Sequence, residues 1–417
     1  MTLAYLTTPL LGIVDTAIVG QLGDAALLGG LAAGAIVFDV VFNTFNSLRS
    51  STTGLVAQAH GRGDCEEEQT ILMRSVAVAA IVGIALILLT AVVATFGIWF
   101  ISPEPRVAEA MHAYIAIRML AAPFTLLNFS ILGYVLGRGE GGLGLALQVI
   151  LNGTNIGLSL FLGLHMGWGL EGVAWGTVGG EVTATLVGFA ILSRRFIRVP
   201  ASRVFHFAAL ARMMALNVDI MVRSFALLAA YALFTRQGAQ LGTVTLAANA
   251  VLLNFFLVAG YFLDGFATAA EQLAGRAVGA RHLRAFRRAV GLTVLWGFVL
   301  AGTATAVFFL FGGPFIRFVT TAEEVRALAI AYLPWAALIA VSGVLAFEMD
   351  GIFIGATWSR DMRNMMLVSL AVFVLCAFAL GNAFGNHGLW AALHLFLVIR
   401  GLSLLAILPR RTRETFA

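Results

Sequence analysis

Phe129-Ser130-Ile131-Leu132-Gly133-Tyr134-Val135-Leu136-Gly137 returns about 218 residues later as Phe347-Glu348-Met349-Asp350-Gly351-Ile352-Phe353-Ile354-Gly355, with the phenylalanine and both glycines in register. The same shift carries Phe100-Ile101 onto Phe318-Val319, Ala113-Tyr114-Ile115 onto Ala331-Tyr332-Leu333, and Gly61 onto Gly279. Near the ends of the two copies, Gly172-Val173-Ala174 faces Gly388-Leu389-Trp390 at a slightly smaller offset. A period this long is half a protein rather than a solenoid unit. In a strongly apolar chain such a duplication implies two like halves with a path for a solute between them.

Composition supports a membrane setting. Of 417 residues, 60% are apolar and only 11% charged, too few to clothe a soluble core of this length. The apolar runs are long enough to cross about 30 Å of hydrocarbon as helices of roughly 20 residues, and they lack the alternation of transmembrane strands. The fold class expected is an all-α integral membrane protein.

Twelve spans are expected: 2–20, 27–50, 71–101, 108–136, 143–164 and 172–193 in the first half, then 213–235, 243–270, 289–319, 326–355, 365–384 and 388–408. They divide the chain into an N-terminal six-helix bundle (1–193), a linker (194–212), a C-terminal bundle (213–408) and a tail (409–417). Six crossings per half is even, so the copies share one orientation and are related by an axis along the membrane normal.

The net charge of +5 comes from a basic set that is entirely arginine. Alternate loops hold Arg62 and Arg74, Arg138, a cluster from Arg194 to Arg212, another from Arg276 to Arg288, Arg360 and Arg363, and Arg410 to Arg413. The opposite loops hold only Arg106, Arg236, Arg317 and Arg326. The arginine-rich side is expected to be cytoplasmic, with both termini inside. This pattern reads as topology and not as a nucleic-acid surface. Asp15 interrupts the first apolar run and no basic lead-in precedes it, so no cleaved signal is expected.

An ionisable group in the hydrocarbon costs about 2.5–3.5 kcal/mol on insertion scales, so each one asks for a reason. Within spans stand Asp15, Asp39, Arg49, Arg118, Glu181, Asp264, Glu271, Glu348, Asp350 and Arg400, while Asp219 and Arg223 open the seventh, one turn apart and able to pair. Asp15 has no basic residue within two turns on its own helix. Burial disfavours the charged carboxylate, so such a group can load and release a proton near neutral pH; the alternative is a carboxyl that bridges helices without titrating. Glu348 and Asp350, two apart, point to different faces, and only one need line a cavity. Asp264 and Glu271, seven apart, share a face, which suits either a polar stripe or arginine pairing.

Other patterns carry less. Gly133-x-x-x-Gly137 and Gly351-x-x-x-Gly355 read as close helix contacts. Gly137-Arg138-Gly139-Glu140-Gly141-Gly142 follows a span rather than a strand and reads as a flexible loop, not a phosphate cradle. The two cysteines, Cys65 and Cys376, form no expected disulfide or metal cluster. The seven histidines have no zinc spacing. Lysine is absent altogether, which excludes a Walker motif.

Several blocks together resemble the MATE (multidrug and toxic compound extrusion) family, in its DinF branch. They are Pro9-Leu10-Leu11-Gly12-x-Val14-Asp15-Thr16, Thr53-Gly54-Leu55-Val56-Ala57-Gln58-Ala59, Ala247-Ala248-Asn249-Ala250 with Leu252-Leu253-Asn254-Phe255-Phe256, Tyr261-Phe262-Leu263-Asp264-Gly265-Phe266-Ala267, and Asp350-Gly351-Ile352-Phe353-Ile354-Gly355-Ala356-Thr357 with Arg360-Asp361-Met362-Arg363-Asn364. The resemblance implies two six-helix bundles around a central cavity and export of organic, often cationic, compounds in exchange for protons or sodium, with no bound cofactor. It places the family's first-helix acid on Asp15, with Asn155 and Thr177 as its polar neighbours and Ser159 where relatives often carry a second acid. Asp264, Glu271, Glu348, Asp350, Asn128 and Asn152 are the candidates to line the cavity.

The expectation is therefore a proton-driven efflux antiporter of the bacterial cytoplasmic membrane, working as a monomer on small organic substrates. A sodium-coupled exporter and a lipid-linked precursor flippase remain the alternatives within the transporter class; dispersed arginines weigh against the flippase. An intramembrane enzyme would need a nucleophile–base or metal constellation, and none is visible.

Overall fold

The computed structural model describes the backbone of residues 8–417, with side chains from Leu11 onward. Among these residues almost everything is helix, and no strand occurs. The first expected span becomes α1, Thr8–Gly20; positions 2–7 of that expectation lie outside the described residues. The second becomes α2 (Ala25–Phe45) and α3 (Ser47–Arg62), the third α4 (Cys65–Leu88) and α5 (Thr90–Ile101), the fourth α6 (Pro105–Met119) and α7 (Ala122–Gly137). Then come α8 (Gly141–Ser159), ending in a π turn over Leu160–His165, and α9 (Gly169–Ser193). A short helix, α10 (Ala201–Val204), lies in the expected linker. The second half holds α11 (Phe207–Gln240), α12 (Thr243–Gly279), α13 (Leu283–Val319), α14 (Glu323–Gly355) and α15 (Ser359–Phe416).

Local chemistry sets several boundaries. The Asp24 carboxylate caps α2 by accepting from the Ala26 amide at 2.8 Å, and Asp64 caps α4 by accepting from Glu67 at 3.0 Å. Gly63, at φ +72°, ends α3 in the left-handed region. Pro123 sits in the first turn of α7, where its missing N–H is tolerated, and the α6–α7 pair is bent by 51°. Gly83 of α4 packs onto this bend, since a Cβ there would fall 2.3 Å from Pro123 Cα.

Nine helical stretches are long and apolar enough to cross a membrane among the described residues, and the α6–α7 pair makes a tenth. With α1, and with α15 divided in two, twelve crossings are accounted for. The last division rests on one residue. Gly385, at φ +57° and ψ −133°, breaks α15 between the eleventh and twelfth spans, a conformation that glycine adopts without strain.

The chain forms two compact units that meet in sequence at Met214 and Ala215. Each contains the same close helix contact. In the first, a Cβ on Gly133 or Gly137 would fall 2.6 or 2.8 Å from the carbonyl oxygens of Arg49 and Thr53 on α3. In the second, a Cβ on Gly351 or Gly355 would fall 2.1 or 2.0 Å from those of Ala267 and Glu271 on α12. Glycines let these backbones touch, and the shift that maps one glycine pair onto the other also maps Arg49 onto Ala267 and Thr53 onto Glu271.

One expectation changes. The Gly137–Gly142 loop is pinned rather than loose: Arg138 bonds Glu68 and, at 3.0 Å, Glu140, which also accepts two bonds of 2.7 Å from Arg195. The linker likewise docks on its own unit, with Arg74 of α4 donating to the Val204 and Arg203 carbonyls at 3.0 and 2.8 Å and Arg203 pairing with Glu66 at 2.8 Å.

Candidate functional site

A ladder of glycines on α9 builds the first site. Gly172, Gly176 and Gly180 recur at one face, and a Cβ on each would meet the backbone of Gly163, Ser159 and Leu151–Asn155 within 2.6 to 2.9 Å. The α8 and α9 backbones therefore touch, and their small polar side chains share one buried space. The Ser159 hydroxyl donates to Asn155 Oδ1 at 3.2 Å and lies 3.4 Å from the Val173 carbonyl, which also accepts from Thr177 at 3.3 Å. All three side chains are buried.

Asp15 of α1 faces this cluster. It is 7% exposed, the Ser159 hydroxyl lies beside its carboxyl, and Oδ1 has no hydrogen-bond partner. A buried carboxyl with an unfilled oxygen is suited to exchange its proton or to accept a cation. Through Ser159 the Asp15 carboxyl joins the Asn155 amide, the Val173 carbonyl and the Thr177 hydroxyl in one buried polar group. Among the described residues no group of three or more His, Cys, Asp or Glu is arranged to hold a metal ion.

A second cluster in the same unit centres on Arg118. Its guanidinium lies 4.4 Å from the centre of the Phe38 ring and 5.5 Å from that of Tyr114, and it donates to the Tyr114 hydroxyl at 2.7 Å. Its positive charge acts on Asp15, Asp39 and Glu181, yet it forms a salt bridge with none of them among the described residues. Asn128 donates to the Glu181 carboxylate at 2.6 Å and to its carbonyl at 3.0 Å, and Thr185 donates to Asn128 Oδ1 at 3.1 Å. Sequence alone names Arg118 and Glu181 as costly intramembrane charges without joining them to Asp15. The available signal is one of number: the costly intramembrane charges of the first half are three acids, Asp15, Asp39 and Glu181, against two cations, Arg49 and Arg118, so a shared cation is to be looked for.

The other candidates separate. Asn152 is buried on α8. In the second unit Asp264 is exposed and Glu271 is buried, its carbonyl against Gly355. Asp350 bonds both Arg223 and Arg400, so its charge is already compensated. Glu348, on another face of α14, is fully buried. The pair that Asp219 and Arg223 could form along the helix is not made. Asp219 accepts from Arg363 at 2.6 Å and from Ser359 at 2.7 Å, while Arg223 turns to Asp350; bonds between helices replace the one along the helix.

Comparison with known proteins agrees with this architecture. The MatE family model matches residues 1–161 and 220–380. The chain is 36% identical to DNA damage-inducible protein F of Escherichia coli K12 over 99% of its length and 91% of that protein. It is 25% identical to a probable multidrug resistance protein NorM of Rhizobium meliloti over 90% of its length and 84% of that protein. Among solved structures, a MATE transporter in a bent conformation superposes with a TM-score of 0.91 at 16% identity, covering 100% of this chain and 94% of the other. An outward-facing multidrug resistance MATE transporter does so with the same score at 15% identity and the same coverage.

Proposed function

Because this chain belongs to the MATE family and is therefore a membrane transporter and not an enzyme, we propose that it exports organic compounds from the bacterial cytoplasm in exchange for protons. The observation that carries this reading is the Asp15 carboxyl, buried on an apolar helix with one oxygen unfilled and the Ser159 hydroxyl beside it. In the proposed cycle Asp15 holds a proton in one conformation and releases it in the other. Asn155, Ser159 and Thr177 rearrange to serve either form, and substrate binding is favoured when Asp15 is charged. Asp264, Glu271 and Asn152 remain the proposed substrate contacts. Asp350 is a weaker acid-site candidate for a cationic substrate, because Arg223 and Arg400 already neutralise it.

Sodium coupling is the second reading, supported by the oxygen donors that Ser159 links to the Asp15 carboxyl. One experiment separates the two. Purified protein in liposomes is given a proton gradient or a sodium gradient alone, with a fluorescent organic cation as reporter. Proton coupling expects transport under the first gradient only and its loss in Asp15→Asn with normal insertion. Wild-type export by that variant under a proton gradient would sink the reading.

A further inference from the structure

Glu348 sits where the packing leaves it alone. It is 0% exposed, and neither carboxyl oxygen has a hydrogen-bond partner. Opposite it stands Gly297 of α13, whose Cβ, if it had one, would fall 3.0 Å from Oε1 and 3.3 Å from Cδ. The absence of a side chain at Gly297 makes room for the carboxyl. One turn away Thr293 lies beside it, with its hydroxyl 3.3 Å from the Val290 carbonyl. Gly297 is eight residues past the start of the expected span at 289, about 12 Å along the helix, within a core of about 30 Å.

The charged neighbours are all accounted for. On α14 itself Asp350 points to another face and bonds Arg223 of α11 and Arg400 of α15. The face of α14 that meets Ala267 and Glu271 of α12 is the one carrying Gly351 and Gly355. On α13 the nearest basic residues are Arg288 and Arg317, nine and twenty positions from Gly297. No basic side chain among the described residues pairs with Glu348. An ionised carboxylate there would be a bare buried charge, costing several kcal/mol. This packing therefore accommodates the neutral acid.

The repeat shows what the slot holds without an acid. The shift that pairs the two halves maps Glu348 onto Ser130, Thr293 onto Ser75 and Gly297 onto Ala79. In the first unit Ser75 and Ser130 form a 2.7 Å hydrogen bond, and Ser130 lies 3.1 Å from the Leu126 carbonyl, so the slot is neutral and satisfied. The second unit replaces a satisfied hydroxyl by an unsatisfied acid, and an alanine by a glycine that clears space for it. A purely structural role is served better by the first arrangement. Gly297 of α13 lies over the site, and Trp296 and Phe298 beside it are exposed.

We propose that Glu348 is a second proton-binding site, in the C-terminal unit, which loads and unloads a proton during transport independently of Asp15. This inference rests on the proton-antiport reading. Movement of α13 away from Glu348 would admit the water that takes the proton, and its return would require the neutral acid again.

The test is proton release on binding of a fluorescent organic cation by purified protein in unbuffered detergent solution, read beside the protonated-carboxyl stretch in infrared difference spectra, for wild type, Asp15→Asn and Glu348→Gln. The expected result is that each variant loses part of the proton release and its own carboxyl band, keeping the other's. If Glu348→Gln keeps wild-type release and the complete set of bands while Asp15→Asn does not, Glu348 is a static neutral acid and this inference falls while antiport stands. If wild-type protein releases no proton on binding substrate, the antiport reading itself fails. Should Glu348→Gln fail to assemble, the double variant Glu348→Ser with Gly297→Ala rebuilds the first half's neutral packing and takes its place under the same criteria.

Discussion

The guanidinium of Arg118 lies 4.4 Å from the centre of the Phe38 ring, so a cation within the membrane span is held by an aromatic face rather than by one of the acids its charge reaches. Such a contact is worth about 2 kcal/mol when desolvated, and the bond to the Tyr114 hydroxyl about 1.5–3 kcal/mol. Held this way, Arg118 keeps its charge available to Asp15, Asp39 and Glu181 at once. Arg118→Ala is expected to lower transport by roughly thirtyfold, the equivalent of about 2 kcal/mol. Arg118→Lys keeps the charge but not the planar stacking and should fall between. Initial rates in proteoliposomes at matched protein content measure both; a lysine variant no better than alanine would show that charge is not what the site needs.

The glycine contacts predict a graded series. Gly355→Ala and Gly351→Ala place a methyl 2.0 and 2.1 Å from carbonyl oxygens of α12, whereas Gly133→Ala and Gly137→Ala meet α3 at 2.6 and 2.8 Å. Overpacking typically costs about 1–3 kcal/mol, and more where backbone must move. The second-half variants should melt lower than their first-half counterparts in thermal unfolding of detergent-solubilised protein. Gly302→Ala, with nothing within 4 Å, is the control, expected to be neutral or to gain up to about 1 kcal/mol.

Much of this architecture was legible because its signals are local or periodic. Apolar length marks the spans, and the paired Gly-x-x-x-Gly segments mark where α7 and α14 meet α3 and α12. Asp15 stood out because no cation shares its helix. Partnerships between helices were not legible, since nothing in the spacing of Asp219 and Arg223 reveals that each bonds a residue more than a hundred positions away. For the same reason Arg118 was visible as an isolated charge but not as the cation whose charge reaches both Asp15 and Glu181. The pinned loop at Arg138 escaped notice because a glycine-rich stretch reads as freedom unless its tertiary ion pairs are known.

That loop gives a pH-dependent prediction. Burial pushes Glu140 up, but hydrogen bonds from Arg195 and Arg138, with their charges, outweigh it and hold the carboxyl below its ordinary 4.5. A group that binds its proton less tightly when folded contributes stability above the ordinary value and loses it as pH falls through the lowered one. Docking of the 194–206 segment should therefore persist at neutral pH and loosen below pH 4.5. Hydrogen exchange of those amides across an acid series is the measurement. Glu140→Gln should loosen the segment already at neutral pH and flatten the dependence; an unchanged profile would mean that Arg74 and Glu66 hold it unaided.

The strongest stability effect is expected at Asp350, the carboxylate that accepts from both Arg223 and Arg400. Removing one member of a buried ionic group leaves the others uncompensated and typically costs about 3–5 kcal/mol. Asp350→Asn strands two guanidiniums, of which Arg400 is the worse placed, with its side chain only 2% exposed against 18% for Arg223. Arg223 can relax toward water, and Arg400 cannot. Arg400→Met added to Asp350→Asn should therefore recover much of the lost stability, whereas Arg223→Met added to Asp350→Asn should recover little. A double-mutant cycle on the melting transition measures the difference. Equal recovery by both second substitutions would show that the two arginines share the buried charge evenly.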